Sequence, residues 1–445
     1  MPGRQSKKRP RRHGAKARSR ALRRALRQHR TTLSLIGGAL ALLMSIGMFA
    51  TFTGGCQRGG GRAAPAPEAE RRARAAQPDR HWPRAVPLAT PTKAVWVARF
   101  HFRTAEDVKT IIRNCAQIGA NTVLWQVRGE GTVQYRSQLE PWSREFDYRD
   151  PGFDPLDVAV REAHARGLRI EAWMNVMPGW KGPSEPPIEN QLWFQHPDWF
   201  LLDAQDRRQP LGDFYVILNP ALNEVREHIA ALAEEITRNY AVDGLHLDYI
   251  RYAWETTPNA AKLYPRDERT ISLYERETGR TPDESPGAWD NWRAFQLTRL
   301  VSRLRAVVSQ NRPGATLTAA VRPDPVDAQR GYLQSSVEWL RSGYIDAAYP
   351  MAYTEKGAVF SKNITAYRSA APGARVIPGV GIYKLNSAEA LRGQLQNCRA
   401  WGGDIALFSY ESLHPTDKDR RAGGADRNEQ SLRGLRRRVI AEFMR

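Results

Sequence analysis

From residue 94 onward, short runs of aliphatic and aromatic residues alternate with longer stretches whose apolar positions recur at helical spacing. The runs AVWVARF (94–100), NTVLWQV (121–127), RIEAWMN (169–175), GLHLDYI (244–250), TLTAAVR (316–322), IDAAYPMAY (345–353), RVIPGVGIY (375–383) and DIALFSYE (404–411) read as strands. Amphipathic segments at about 105–118, 155–166, 221–240, 290–311, 335–342, 387–400 and 428–443 read as helices. Eight strands, nearly all followed by a helix, predict an α/β protein with a (β/α)8 TIM barrel spanning 94–445. An open doubly wound sheet is the alternative, but no strand–helix turn carries a glycine-rich phosphate loop. Long insertions at 129–154, 176–220 and 253–289 follow strands two, three and four, which puts them at the C-terminal mouth of such a barrel.

Within the strands the period is two, so alternate residues face inward. In DGLHLDYIRY (243–252) this sends Leu245 and Leu247 out to the helices and Gly244, His246 and Asp248 inside. Asp248 then sits near the mouth, where a polar cleft tolerates a carboxyl; pairing with a neighbouring arginine is the structural alternative. His246 lies a layer deeper, as an interior group or a contact to substrate, and Asp243 caps the turn into the strand. Tyr249, Arg251 and Tyr252 close the segment. The same alternation collects Arg99 and His101 from strand one, Gln126 and Arg128 from strand two, and Trp173 and Asn175 from strand three. Strand five adds Arg322 and Asp324, strand six Tyr349, Met351 and Tyr353, and strand seven Tyr383, while Glu130, Glu355 and Glu411 follow or end their strands. Polar or aromatic groups at the end of nearly every strand are what an elaborate small-molecule site needs. In the middle insertion, Trp180, Trp193, Phe194, Trp199 and Phe200 either stack on sugar faces beside Asn190, Gln191, His196 and Asp198 or form the loop's own core.

Carboxylates, arginines and aromatics without a cofactor motif favour glycosidic-bond chemistry, in which a carboxylic acid assists the leaving oxygen. Asp248 is the candidate acid/base, and Asp324, Glu355 and Glu411 are the candidate partners. No G-x-S-x-G elbow is present. No cysteine or histidine spacing matches a zinc site, and strands five to eight supply no histidine for a metal-dependent deacetylase, so no metal or cofactor is expected. A non-catalytic glycan-binding protein is the competing reading. Cys115 and Cys398 lie far apart in helical segments and read as buried free thiols rather than a disulfide.

The formal charge of +20 is concentrated ahead of the domain. Residues 1–30 hold 13 Lys or Arg and no acid, and residues 57–93 hold 8 basic and 3 acidic groups. Residues 94–445 then carry only +2 (46 basic, 44 acidic), which does not describe a nucleic-acid surface. The basic segment 1–32 leads into twenty uncharged, mostly apolar residues, LSLIGGALALLMSIGMFATF (33–52), long enough to cross a bilayer. Positive charge before the span predicts a cytoplasmic N-terminus and an exported domain. TFTGGC (51–56) is similar to a lipoprotein cleavage site with Cys56 as the lipidated residue, so a cleaved signal and a retained anchor both stay open. Residues 57–93, rich in Gly, Pro, Ala and Arg, read as a flexible linker.

AVWVARF, GANTVLWQVRGEGTVQYRSQLEPWS, VDGLHLDYIRY, ERETGRTPDESPGAWDNWRAFQ and YIDAAYPMAYTE together resemble the bacterial glycosyl-hydrolase-like family ten over about residues 93–415. The resemblance implies a TIM-barrel envelope protein, in a family that includes a lipoprotein glycosidase cutting peptide-free peptidoglycan strands. It implies a polysaccharide substrate, a cell-envelope location and membrane attachment. The D-G-x-x-x-D and M-x-Y strands are also similar to a looser chitinase pattern, but Tyr249 and Ile250 follow Asp248 where chitinases place a glutamate. On that analogy Asp248 itself is the acid.

Overall fold

A computed structural model of the chain describes residues 82–254 and 259–444. The basic segment, the apolar span, Cys56 and most of the expected linker lie outside the described residues.

The strands are β1 (Lys93–Val97), β2 (Thr122–Arg128), β3 (Arg169–Asn175), β4 (Pro178–Gly182), β5 (Gly212–Ile217), β6 (Gly244–Asp248), β7 (Thr316–Val321), β8 (Ala347–Pro350), β9 (Arg375–Val376), β10 (Gly379–Gly381) and β11 (Ile405–Phe408). Nine of them form one curled parallel sheet in the order β10-β11-β1-β2-β3-β6-β7-β8-β9. Its two edges are successive pieces of one segment: β9 pairs with β8, β10 pairs with β11, and an isolated bridge joins Met351 to Gly379. All eight segments read as strands from their pattern appear in this sheet, the seventh broken at Ile377 and Pro378.

Burial on both faces explains the composition of these strands. Trp96, Leu124, Trp173, Tyr349, Ile377 and Ala406 belong to one apolar cluster on the concave side. Val95, Val97, Trp125, Met174, Leu245, Leu247 and Leu317 belong to the larger cluster under the helices, as alternation predicts. Helices begin where short polar side chains take up orphan amides. Thr104 and Asp107 form a capping box at the start of Ala105–Gln117, and Asp154 accepts from Leu156 and Asp157 ahead of Pro155–His164. Cys115 and Cys398 are buried free thiols.

Residues 82–92 depart from the flexible linker that their composition suggests. The Trp82 indole donates to the Arg238 carbonyl at 2.8 Å, Val86 N–H donates to Asp243 at 2.8 Å, and Arg375 donates to the Ala89 carbonyl at 2.6 Å. Two carboxylates, the buried Asp243 and the half-buried Asp404, supply acceptors to this strap where the strands begin. Asp243 therefore holds several elements together rather than capping a single turn: it also accepts from Ile170 N–H and pairs with His164.

Candidate active site

The insertions build the opposite end, where the strands finish. Asp248 is the last residue of β6 and the register partner of Asn175 at the end of β3. Its side chain is 9% exposed, and its Oδ1 accepts from the Tyr249 amide at 2.7 Å and lies 3.7 Å from Arg251. Burial pushes its carboxyl above the ordinary range; Arg251, the Tyr249 amide and the facing Trp173 indole, which stands outside good hydrogen-bond geometry, offset this only in part. The chain then turns sharply. Tyr249 adopts φ 48°, a left-handed conformation that a bulky side chain rarely takes without a compensating constraint. That turn lays its ring 4.0 Å from the Arg251 guanidinium carbon and 4.7 Å from the Tyr215 ring.

Tyr215 was not singled out from the sequence. It comes from the hairpin β4–β5 in the second long insertion, and its hydroxyl meets Asn175 Nδ2 at 3.3 Å. Burial pushes its phenol up, Glu130 and Asp248 adding to the effect and Arg99 opposing it. The alternation in DFYVIL (213–218) marks a strand that sends Tyr215 opposite to the exposed Phe214, and this was the available signal. Tyr353 lies on the facing bank, stacked at 4.9 Å on Phe408 and feeling Asp248, Tyr383 and Tyr249; burial drives its phenol well up. Trp173, Asn175, Tyr249, Arg251 and Tyr353 thus meet around Asp248, while Met351 is half-buried at the end of β8.

A second group forms at the end of β1. Arg99 donates to Glu130 at 2.6 Å and to Gln126 at 3.4 Å, and Arg144 reaches the other Glu130 oxygen at 2.8 Å. Glu130 and Gln126 are consumed in holding Arg99. Burial pulls Arg99 down, but Glu130, Tyr215 and Glu145 outweigh it, so the guanidinium stays charged. His101 Nδ1 accepts from the Ala98 amide at 3.1 Å, which leaves Nε2–H facing Glu411 at 3.8 Å. Burial lowers this imidazole to about 3, so it is neutral, and burial raises the Glu411 carboxyl. Tyr383 is 45% exposed on the next turn.

Several expected contacts fall elsewhere. A bulge opposes Arg128, not Val127, to Met174, so parity flips and Arg128 points away from the interior. There it is fully buried, bidentate to Glu140 at 2.8 and 2.7 Å, and it also donates to the carbonyls of Asn175, Val176 and Pro178. Tyr252, beyond the left-handed turn, is buried and stacks on Trp254 at 5.1 Å. His246 is sealed beneath the mouth: its Nε2 accepts from Trp96 at 3.0 Å, its Nδ1–H faces Thr318 at 2.8 Å, and burial lowers it to about 3. Tyr349 packs on it at 4.9 Å and is equally inaccessible. Asp324 caps the helix Pro325–Tyr332 by accepting from Val326 and Asp327. Arg322 pairs with Asp327 at 3.2 Å on the rim, and Glu355 is exposed on the loop after β8. In the second insertion Trp180, Trp193 and Phe200 are buried in the larger apolar cluster, leaving Phe194 exposed. Among the described residues no cluster of His, Cys, Asp and Glu could hold a metal ion.

A curled parallel sheet with a buried carboxyl and aromatic banks at its C-terminal end defines a TIM-barrel-like α/β domain. The chain belongs to the glycosyl hydrolase-like 10 family, whose profile matches residues 84–390. It is 26% identical over 266 residues to glycosyl hydrolase DigH of Escherichia coli (strain K12), covering 53% of this chain and 55% of that protein. It is 23% identical over 305 residues to glycosyl hydrolase YngK of Bacillus subtilis (strain 168), covering 63% and 56%. The chain spans about half the length of these curated relatives. Among solved structures, the PgaB (BpsB) glycoside hydrolase domain from Bordetella bronchiseptica is similar in fold, with a TM-score of 0.54 at 16% identity over 78% of this chain and 99% of that one. Alpha-L-fucosidase isoenzyme 2 from Paenibacillus thiaminolyticus gives 0.53 at 17% identity, over 78% and 48%.

Proposed function

We propose that the curled sheet is a (β/α)8 barrel and that the domain hydrolyses glycosidic bonds in a cell-envelope polysaccharide, the glycan strands of peptidoglycan. The split strand supports the barrel, because β9 and β10 serve as one stave between β8 and β11. The observation that carries the activity is Asp248: a nearly buried carboxyl at the end of β6 with raised proton affinity, facing Asn175 and the tyrosine-lined mouth. Such a group holds a proton to give to a leaving glycosidic oxygen and takes one back from water. Glu411, raised by burial and faced by the His101 N–H, is the favoured partner over the helix-capping Asp324 and the exposed Glu355. The apolar span and Cys56 would export the domain and tether it to a membrane.

The test compares Asp248→Asn with Asp324→Asn, Glu355→Gln and Glu411→Gln on peptide-free glycan strands, with products followed by mass analysis. Loss of general acid assistance lowers turnover by about 10²–10⁴-fold in Asp248→Asn. The same variant is expected to gain stability at neutral pH. A folded-state pKa raised above 3.8 is a cost to folding that appears as pH rises through that value, and asparagine removes it. Near-normal turnover by Asp248→Asn, with loss in one of the others, places the acid on another strand. If the native chain releases no product yet binds the strands, the domain is a glycan-binding module.

A further inference from the structure

His101 ends the short turn after β1 with one ring nitrogen engaged and the other unspent. Its Nδ1 accepts from the Ala98 amide at 3.1 Å, so in the neutral ring the proton sits on Nε2. That Nε2–H is buried, has no hydrogen-bond partner, and stands 3.8 Å from Glu411 Oε2. The gap is too long for a hydrogen bond and too short to hold a water between the two atoms. The ring is walled in: Phe100 packs edge-on at 4.9 Å, Tyr410 lies at 5.8 Å, and the Tyr410 hydroxyl is tied to Asn114 at 2.8 Å. A buried N–H left unpaired costs the fold stability that a phenylalanine at this place would not. Glu411 is fixed through its backbone, since its carbonyl accepts from Arg433 at 2.7 Å, while its side chain stays 35% exposed. Four other charged groups face it. Lys418 and Asp419 come from the helix Asp417–Arg421, and Glu429 and Arg433 from the helix Arg427–Met444. Arg433 pairs with Asp419 and Glu429, each at 3.2 Å, and Lys418 is exposed; among the described residues neither forms an ion pair with the Glu411 carboxyl.

We propose that His101 is a positioning residue whose Nε2–H closes on the ionised Glu411 carboxylate and holds it at the mouth during glycosidic cleavage. The inference rests on the reading of Glu411 as the partner of Asp248 and deepens it by naming what keeps that carboxylate charged and aimed. A shift of about 1 Å brings the two atoms to hydrogen-bond distance. Donation to the charged form favours that form, and it is the ionised Glu411 that can face the positive charge building on the sugar. The imidazole suits this task because it stays neutral. Burial lowers it to about 3, below the raised Glu411 carboxyl, so it donates a hydrogen bond without drawing off the carboxyl's proton. The two carboxyls are then driven apart in role: the end of β6 keeps its proton to give, and Glu411 is helped to lose its own.

The experiment uses the full chain, native and as His101→Phe, His101→Gln, Glu411→Gln and the double variant His101→Phe with Glu411→Gln. The direct readout is the titration of the Glu411 carboxyl, followed by carbon NMR of glutamate-labelled protein and assigned by its absence in Glu411→Gln. His101→Phe keeps a ring without the N–H and should raise the Glu411 midpoint by about one pH unit, the tenfold scale of a hydrogen bond to a charged group. His101→Gln, which restores an N–H, should bring it part of the way back. On glycan strands the acid limb of the kcat/KM profile should move up by the same amount, while the alkaline limb, set by Asp248, stays. In the Glu411→Gln background, His101→Phe should cost no further turnover. If His101→Phe does not fold, the native chain decides: its His101 Nε2 signal should follow the Glu411 titration and lose that step in Glu411→Gln. If no glycan is cleaved, or Glu411→Gln turns over normally, the reading of Glu411 as partner fails, and the two NMR titrations still decide whether His101 holds it. An unmoved Glu411 midpoint in folded His101→Phe, an Nε2 signal blind to Glu411, or equal losses of turnover from His101→Phe with and without the Glu411 carboxyl overturns the inference.

Discussion

Replacing Arg128 by methionine separates two roles for this residue. A guanidinium at the mouth would contribute to substrate binding; the observed one is fully buried and bidentate to Glu140, which also pairs with His228 at 3.0 Å. Burial alone would push the Glu140 carboxyl up, but Arg128 and His228 outweigh it and hold the group at about 2, down from 4.5. A depression of that size corresponds to about 3 kcal/mol of folding stability. That falls at the lower edge of the roughly 3–5 kcal/mol expected when one partner of a buried pair is removed and the other stays behind. Arg128→Met also leaves the Asn175, Val176 and Pro178 carbonyls without their donor. The sign with pH follows: because the folded pKa is depressed, the contribution is complete above about 4.5 and disappears as pH falls through about 2. Urea unfolding of native and variant protein from pH 7 to pH 3 measures it. The midpoint should drop strongly at pH 7, and the gap should narrow in acid. A midpoint unchanged at pH 7, combined with weakened glycan binding, would refute the structural role and return Arg128 to the site.

A reporter active only outside the cytoplasm, fused after residue 81, should be active, and Cys56→Ser should free the protein from membranes only if that residue carries lipid; an inactive cytosolic fusion rejects export. In the Cys56→Ser chain, neither remaining cysteine should react with a thiol reagent at pH 8 until urea unfolds the protein, because burial pushes Cys115 up to about 12 and Cys398 higher; labelling of the native protein rejects that.

The sheet was legible because each strand is apolar on both faces, and period two assigned Leu245 and Leu247 to the helix side correctly. Parity gave direction but not depth. His246 faces inward as expected, yet Trp96 and Thr318 seal it below the mouth, and no sequence pattern carries that distance. Parity also failed where the backbone left the ideal strand. The bulge at Val127 turned Arg128 to the opposite face, and the left-handed Tyr249 put Tyr252 in the core. Asp324 carried a second signal: Asp followed by Pro at the first helical position marks a helix start, and Asp324 does cap that helix. Tyr215 was hidden for another reason. It reaches the site from a hairpin whose register brings it beside Asn175, and only tertiary packing reveals that contact.

What distinguishes Asp248 from the other buried carboxylates is how little holds it. Asp243 accepts from two backbone amides and pairs with His164; Glu171 pairs with Arg169 and accepts from Thr318; the half-buried Asp404 accepts from the Thr92 amide and binds Arg375. Those groups sit where the strands begin or within the sheet, and their surroundings spend each oxygen on holding strands or the 82–92 strap in register. Asp248 has one amide from its own neighbour and an arginine at 3.7 Å, too far for a direct hydrogen bond. An ionised carboxylate so weakly compensated is costly in a buried place, so the fold favours its protonated form. Folding alone gains nothing from that arrangement, and an asparagine there would be easier to accommodate. A carboxyl kept under-satisfied at the end of a strand is what the proposed general-acid role of Asp248 requires.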